Sequence, residues 1–359
     1  MLILPILAMI PNKLPNADYE IYIGTYTSKD GSHGIYRSAF NPQTGVIGVP
    51  QLAVTAENPS FLTADASGTH LFAVHELEAG SLSSFTRLPS GDLHSITNQS
   101  AKGSGTCFVS LSRDGLSAYV ANYSSGSFAK LPIAYNGALE PSTWSFQNSG
   151  HGPDQGRQSG PHAHSIIEEP GGKFAAGCDL GTDEVLVFQG ANLIQRVKTK
   201  PGSGPRHLAF SLDGHFAYVG GELLSTIQVF RIDAPDHWAS VQIVDTVPSG
   251  WHHGSYIAEV SIHPNGKWLY VSNRGHDSIT AYRILPTGFL ELIENRKVIE
   301  QFPRGFTIDP TGHWLIVAGQ NSNNLEALWI DPQSGKLTSK HAPTPTPSPV
   351  SILVLPKLL

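Results

Sequence analysis

Along most of this 359-residue chain, apolar and polar residues alternate with a period of two, in short runs separated by turns that contain glycine. The runs fall into a seventeen-residue unit that recurs six times without an internal gap. The copies read SFLTADASGTHLFAVHE from Ser60, CFVSLSRDGLSAYVANY from Cys107, HSIIEEPGGKFAAGCDL from His164, RHLAFSLDGHFAYVGGE from Arg206, AEVSIHPNGKWLYVSNR from Ala258 and RGFTIDPTGHWLIVAGQ from Arg304. Each opens on an alternating strand, as in Val260 and Ile262, turns at a polar segment such as PNG or PTG, and continues into a strand rich in Tyr, Val, Phe and Trp. The ninth residue is glycine in every copy, Gly68, Gly115, Gly172, Gly214, Gly266 and Gly312, which supplies the positive φ of a tight turn. A third strand follows, seen as TIQVFRI from Thr226 and SITAYRI from Ser278.

These glycines recur at intervals of 42 to 57 residues, the period of a propeller or solenoid. The two ends of the chain complete the series. EIYIGTYT from Glu20 matches the second strand of a unit, and SPVSILVLP from Ser348 matches the first. The pattern therefore predicts an all-β, seven-bladed β-propeller of four-stranded blades, closed where residues near 20–26 pair with residues near 348–355. Closure removes the sheet edges that an open array would have to protect. Residues 19–359 are expected to form this single domain, with 1–18 as an N-terminal extension. No helical period of 10–15 residues appears, which disfavours an α/β layout. HAPTPTPSP near the C-terminus reads as an extended linker into the closing strand.

A net charge of −6, with no run of Lys or Arg, argues against nucleic acid and anionic membrane as partners. The two cysteines, Cys107 and Cys178, form no disulfide framework and read as small buried hydrophobes within strands. The apolar opening MLILPILAMI is too short to span a membrane and lacks the basic start of a signal peptide. A cytoplasmic location is expected, with export as the alternative.

A repeat separates scaffold from chemistry. Positions of one residue type hold the fold, whereas polar positions that differ between copies need another reason. In an antiparallel hairpin the start of the first strand and the end of the second share one end. The first strand of each blade lines the channel, so positions 1, 16 and 17 should ring one mouth. Position 1 supplies Ser60, Cys107, His164, Arg206, Ala258 and Arg304, and position 17 supplies Glu76, Tyr123, Leu180, Glu222, Arg274 and Gln320. Position 16 adds His75, Asn122, Asp179 and Asn273. Arg206, Arg274 and Arg304 fall on three consecutive blades and form a basic arc in an acidic protein. Guanidinium forks match carboxylate and phosphate, so the arc points to a small anionic ligand. His162 and His164 in the HAH segment could chelate a metal with Glu76 or Asp179. The arginines would repel a cation, so neither metal nor other cofactor is expected. Trp251-His252-His253 reads as a structural or solvent-facing loop. The chain has no G-x-S-x-G elbow, P-loop, dinucleotide fingerprint or C-x-x-C pair.

Several stretches resemble the seven-bladed propeller lactonases, a family that includes 6-phosphogluconolactonases and is similar to a fungal carboxymuconate cyclase. They are YIGTYT…GIY from Tyr22, NPSFL from Asn58, GPHAHS from Gly160, CDLGTDEV from Cys178, GPRH from Gly204, EVSIHPNGKWLYVSNRGHDSI from Glu259 and FPRGFTIDPTG from Phe302. Together they span nearly the whole chain. The resemblance to the cyclase implies a cleft built from His164, Arg206, Glu222 and Arg274. One departure lies at GGELLST, where relatives often carry Asn before the glutamate and this chain has Gly221.

The expected activity is hydrolysis of a small anionic sugar lactone, 6-phosphogluconolactone above all. His164 would serve as general base, Arg206 and Arg274 would stabilise the oxyanion or hold the anion, and Glu222 would orient them or relay a proton. His162, Arg304, Asn273, Asp179, Glu76 and His75 complete the expected substrate-binding set. A lactonising cycloisomerase of the muconate type and a non-catalytic binding propeller are the alternatives. A broad apolar patch would favour the last of these.

Overall fold

The computed structural model describes residues 19–358, and the readings made for 1–18 lie outside the described residues. Seven antiparallel sheets follow one another around a central channel. Counting from the N-terminus, the innermost strands of blades two to seven are Leu62–Ala64, Thr106–Leu111, Ala163–Glu168, Pro205–Phe210, Tyr256–Ile262 and Pro303–Ile308. Blade one takes its innermost strand from the far end of the chain. Pro349–Pro356 pairs antiparallel with Tyr19–Thr25, from Tyr19 opposite Pro356 to Thr25 opposite Pro349. The seven-bladed, end-to-end-closed all-β fold expected from the repeat is thus the fold of the chain.

The repeat glycines do what the turn requires of them. All six have φ between 68° and 75°, and the Gly266 N–H closes its turn on the His263 carbonyl at 2.8 Å. The proline-rich linker is more ordered than its composition suggests. Thr344–Pro345 adds to the strand Asn324–Ile330 as a short fifth partner of blade seven. Proline is tolerated there because the segment lies on an edge, where its missing N–H breaks no ladder bond.

Apolar side chains collect between blades, and one buried cluster occupies each of the seven interfaces among the described residues. Phe174, Phe210 and Trp238 fill the boundary of blades four and five. Each large apolar side chain taken from water contributes about 1.5–3 kcal/mol, so no single interface dominates. The closing interface also has a polar latch. Trp314 of blade seven donates its indole N–H to the Pro42 carbonyl at 2.9 Å. Gly45 passes so close to the same ring that a Cβ there would come within 2.4 Å of it.

A local irregularity of the inner strands decides where the functional side chains point. In five blades the pairing between first and second strands slips at the same place. Thr106 faces Asn122 but Phe108 faces Ala121, and Ala163 faces Asp179 but Ser165 faces Cys178. Pro303 faces Gly319 but Gly305 faces Ala318, and equivalent shifts lie between Pro205 and Leu208 and between Ile257 and Val260. The residues left over are Cys107, His164, Arg206 with His207, Ala258 with Glu259, and Arg304. Such a bulge bends its strand and re-aims the extra side chain. Here it turns the first residue of the repeat toward the channel.

Candidate active site

The bulged residues and the ends of the second strands enclose a cavity of about 280 Å³ at one mouth of the channel. Cys107, His164 and Arg304 reach it from the bulges. Glu76, Tyr123, Glu222 and Arg274 reach it from the last position of the repeat. Tyr26 and Arg157 complete the lining. Three guanidiniums and two carboxyl groups therefore face the cavity, and Arg206 stands behind Glu222.

Glu222 is the electrostatic centre. Its Oε2 lies 2.8 Å from Arg274 Nη2 and 3.1 Å from Arg206 Nε, and its Oε1 lies 2.6 Å from Arg157 Nη2. Burial works against its charge, but Arg274, Arg206 and Arg157 outweigh it and hold the carboxyl at about 2. At neutral pH this group is a fixed anion that positions cations and holds no proton to relay. Burial pulls the Arg274 guanidinium below its usual range, while Glu222 pulls the other way.

Arg304 differs from these three. Its side chain makes no ion pair or hydrogen bond with any described residue, and its guanidinium carbon rests 5.2 Å from the centroid of the Tyr26 ring. Tyr26 in turn donates its hydroxyl to Glu76 Oε2 at 2.8 Å. Burial opposes the Arg304 charge, but Tyr26, Glu76 and Glu222 more than offset it. This half-buried cation keeps its guanidinium N–H donors free of protein acceptors among the described residues.

His164 is buried, with Nδ1 3.7 Å from Cys107 Sγ and its ring edge-on to those of Tyr123 and His207. Burial first, then Arg206, His207 and Arg304, hold its pKa well below the ordinary imidazole value. It is therefore neutral near pH 7, with a lone pair available. His207 packs against it with both nitrogens engaged. Nδ1 lies 3.0 Å from Glu259 Oε1, and Arg206 Nη1 lies 3.2 Å from Nε2. The consistent tautomer has Nδ1–H donating to Glu259 and Nε2 accepting from Arg206. The thiol of Cys107 is pushed up, by burial first and by Glu76 second, and stays protonated.

His164, Arg206, Glu222, Arg274, Arg304 and Glu76 thus come together at the mouth. His162 stands at the rim, its ring stacked on Tyr123 at 4.5 Å with Nδ1 3.0 Å from the Tyr123 carbonyl. The position-16 residues sit elsewhere. His75 spans the Glu57 carbonyl and the Ser83 hydroxyl. Asp179 accepts from Asn148 and from the N–H groups of His162, Gly181 and Thr182. Asn273 is bonded to Thr246, Ser278 and Thr280. None of the three lines the cavity. The reason is strand parity. Neighbouring residues point to opposite faces, so position 17 reaches the cavity while position 16 ties the blade together. No group of three or more His, Cys, Asp or Glu able to hold a metal occurs among the described residues.

Sequence reasoning did not single out Tyr26, Arg157, His207 and Glu259. Arg157 lies in the long connection between blades three and four, outside the repeat. A tight turn fixes it there, in which Asp154 accepts from the Arg157 N–H and buried Gln158 donates to the Leu180 carbonyl and Asp183. His207 and Glu259 sit one residue after position 1, where only the two-residue bulge brings them inward.

A closed seven-bladed propeller with a polar, cation-rich cavity at its channel mouth defines the class. The chain belongs to the seven-bladed β-propeller lactonase family ("Lactonase, 7-bladed beta-propeller"), which it matches over residues 20–354. It is 28% identical to the 6-phosphogluconolactonase of Bacillus subtilis, over 94% of this chain and 98% of that protein. It is 30% identical to the 6-phosphogluconolactonase of Formosa agariphila, over 88% of this chain and 94% of that protein. Among solved structures it is similar to the periplasmic gluconolactonase of Pseudomonas aeruginosa, with TM-score 0.88, 32% identity, and coverage of 94% of this chain and 99% of that one.

Proposed function

We propose that the chain hydrolyses the lactone of a phosphorylated sugar acid, 6-phosphogluconolactone, to the open-chain acid. The observation that carries this reading is Arg304, a half-buried guanidinium with no side-chain ion pair or hydrogen bond to the described residues, facing a cavity where cations outnumber carboxylates. A phosphate supplies the acceptors it lacks. The names of the Bacillus subtilis and Formosa agariphila relatives support the same substrate.

In this mechanism neutral His164 takes a proton from water as the water oxygen bonds to the lactone carbonyl carbon. The carbonyl oxygen becomes an oxyanion beside Arg274. The ring C–O bond then breaks, and the proton on His164 passes to the leaving alkoxide. Glu222 holds Arg274, Arg206 and Arg157 in place throughout, so the donors are ordered before the oxyanion forms. The arginines that suppress imidazolium before substrate binds are compensated by negative charge as the intermediate develops. Proton transfer thus becomes easier in the transition state than in the ground state.

The test compares initial rates on 6-phosphogluconolactone and glucono-δ-lactone, corrected for spontaneous opening, with and without chelator. Preference for the phosphorylated lactone, unchanged by chelator, is expected. Equal rates on both would remove the phosphate assignment. Inactivity on both, with turnover of a carboxylated muconolactone, would favour the cycloisomerase.

A further inference from the structure

Beside the lactone cavity lies a second one, of about 250 Å³, lined by Leu223, Leu224, Val247, Trp251, Ser255 and Tyr256 among others. It opens on the same end of the blades. Glu222 lines the first cavity, and the next two residues in the chain line the second. Arg157 lines the first and Tyr256 the second, and the Arg157 guanidinium carbon lies 5.8 Å from the centroid of the Tyr256 ring. Neither partner is locked in the interior, since the Arg157 side chain is 38% exposed and Tyr256 is 37% exposed.

Two polar atoms of this second cavity are unexplained. Trp251 Nε1 and Ser255 Oγ are buried and have no hydrogen-bond partner among the described residues. An unpaired buried donor is destabilising, and an acceptor arriving from outside would relieve it. The Trp251 ring itself is well fixed, edge-on to His276 at 4.5 Å with the Lys297 ammonium 4.7 Å from its centroid. Exposed aromatic surface, aliphatic walls and isolated donors form the combination that receives a carbohydrate ring, whose C–H face packs on apolar surface while its hydroxyls accept at the edges.

We propose that this side cavity is a subsite for a neutral glycosyl unit carried on the lactone, so that the enzyme also accepts lactones of disaccharide acids. The inference rests on the lactonase reading of the neighbouring cavity. The cavity is of a size for one sugar ring, and the Arg157–Tyr256 contact marks the side on which the glycosidic bond would pass, with Arg157 still held by Glu222.

Hydrolysis of cellobionolactone and maltobionolactone is measured against glucono-δ-lactone, with the wild-type chain and with Trp251→Phe, which keeps the ring and removes the N–H. In the wild type, KM for at least one disaccharide lactone should be about tenfold below that for glucono-δ-lactone, the effect of roughly one net hydrogen bond with its packing. Trp251→Phe should remove that advantage and leave glucono-δ-lactone kinetics unchanged. Ser255→Ala serves as the second variant should Trp251→Phe fold poorly, with the same expected result. Turnover of glucono-δ-lactone with no gain for either disaccharide lactone would overturn the subsite alone. No turnover of any lactone, the phosphorylated one included, would instead overturn the lactonase reading beneath it. An equal loss on all substrates in Trp251→Phe would make the loop structural and also reject the proposal.

Discussion

Arg304 of blade seven lies across the ring of Tyr26 of blade one, with the guanidinium carbon 5.2 Å from the ring centroid. The pair straddles the seam where the two ends of the chain meet. Because Tyr26 gives its hydroxyl to Glu76, the ring supports Arg304 without occupying its N–H groups. Arg304→Ala should therefore raise KM for 6-phosphogluconolactone by about 10- to 100-fold, the scale of one charge-assisted hydrogen-bonding group. KM for glucono-δ-lactone should change little. Steady-state kinetics on both lactones check this, and an equal effect on the two would assign the phosphate to another arginine.

His164→Ala should lower kcat by about 10²-fold or more with a smaller change in KM, because a general base acts in the transition state. The pH profile carries a second expectation. Burial, Arg206, His207 and Arg304 hold the imidazole well below its ordinary value. The active form is the neutral one, so activity is lost as pH falls through this lowered value. The acid limb of kcat/KM should lie clearly below pH 6.5, with a plateau through neutrality. A limb at the ordinary imidazole value would remove His164 from the role.

Glu222→Gln should both inactivate and destabilise, since it leaves Arg274, Arg206 and Arg157 facing a neutral amide. Breaking a buried ion pair in this way costs about 3–5 kcal/mol, readable as a lower denaturant midpoint. The linkage has a definite sign. The folded value of about 2 is below that of an ordinary carboxyl. The stability from this group is thus present above about pH 4 and lost as pH falls toward 2. A wild-type midpoint that did not fall over that window would contradict the ionised assignment.

Blade seven holds a carboxyl pair with the opposite behaviour. Glu300 is 0% and Glu326 2% exposed, and their four carboxyl oxygens have no hydrogen-bond partner among the described residues. Burial first and Glu326 second push Glu300 up to about 9. A folded value above the unfolded one means that the proton stabilises the fold. That stability is complete below about pH 4 and is lost as pH rises toward 9. Thermal midpoints at pH 6, 7.5 and 9 should decline in the wild type and decline less in Glu300→Gln. Equal slopes in the two proteins would show that the pair does not set the alkaline limit.

Much of this molecule is legible in its sequence. Gly68 to Gly312 mark every turn because only a residue without Cβ takes that φ without strain, and the half-repeats at the two ends announce the closing blade. Local chemistry of this kind is written in residue type and spacing. The bulge is not, because it is a slip of one strand against another and leaves no signature in either strand alone. Its absence from the sequence reading explains why His207 and Glu259 were missed beside Arg206 and Ala258. The expectation for Asn273 and Arg274 shows a related limit. Adjacent positions look equivalent along the chain, yet pleating sends Arg274 to the cavity and Asn273 to Thr246, Ser278 and Thr280. Arg157 lies outside any repeat, so comparison between copies had nothing to compare.

The pairing of Tyr19–Thr25 with Pro349–Pro356 has a consequence for how the protein is made. The closing strand is synthesised after every other described strand. While the chain grows, blade one is a three-stranded sheet whose Tyr19–Thr25 edge has no neighbour, and blade seven lacks Ile352 and Val354 of the closing strand from the cluster it shares with blade one. Both surfaces stay available to wrong partners until the last contact, the one most distant in sequence, is formed. The nascent protein therefore depends for longest on protection at the seam that Tyr26 and Arg304 later bridge, and the binding site is assembled only when synthesis of the ring is complete.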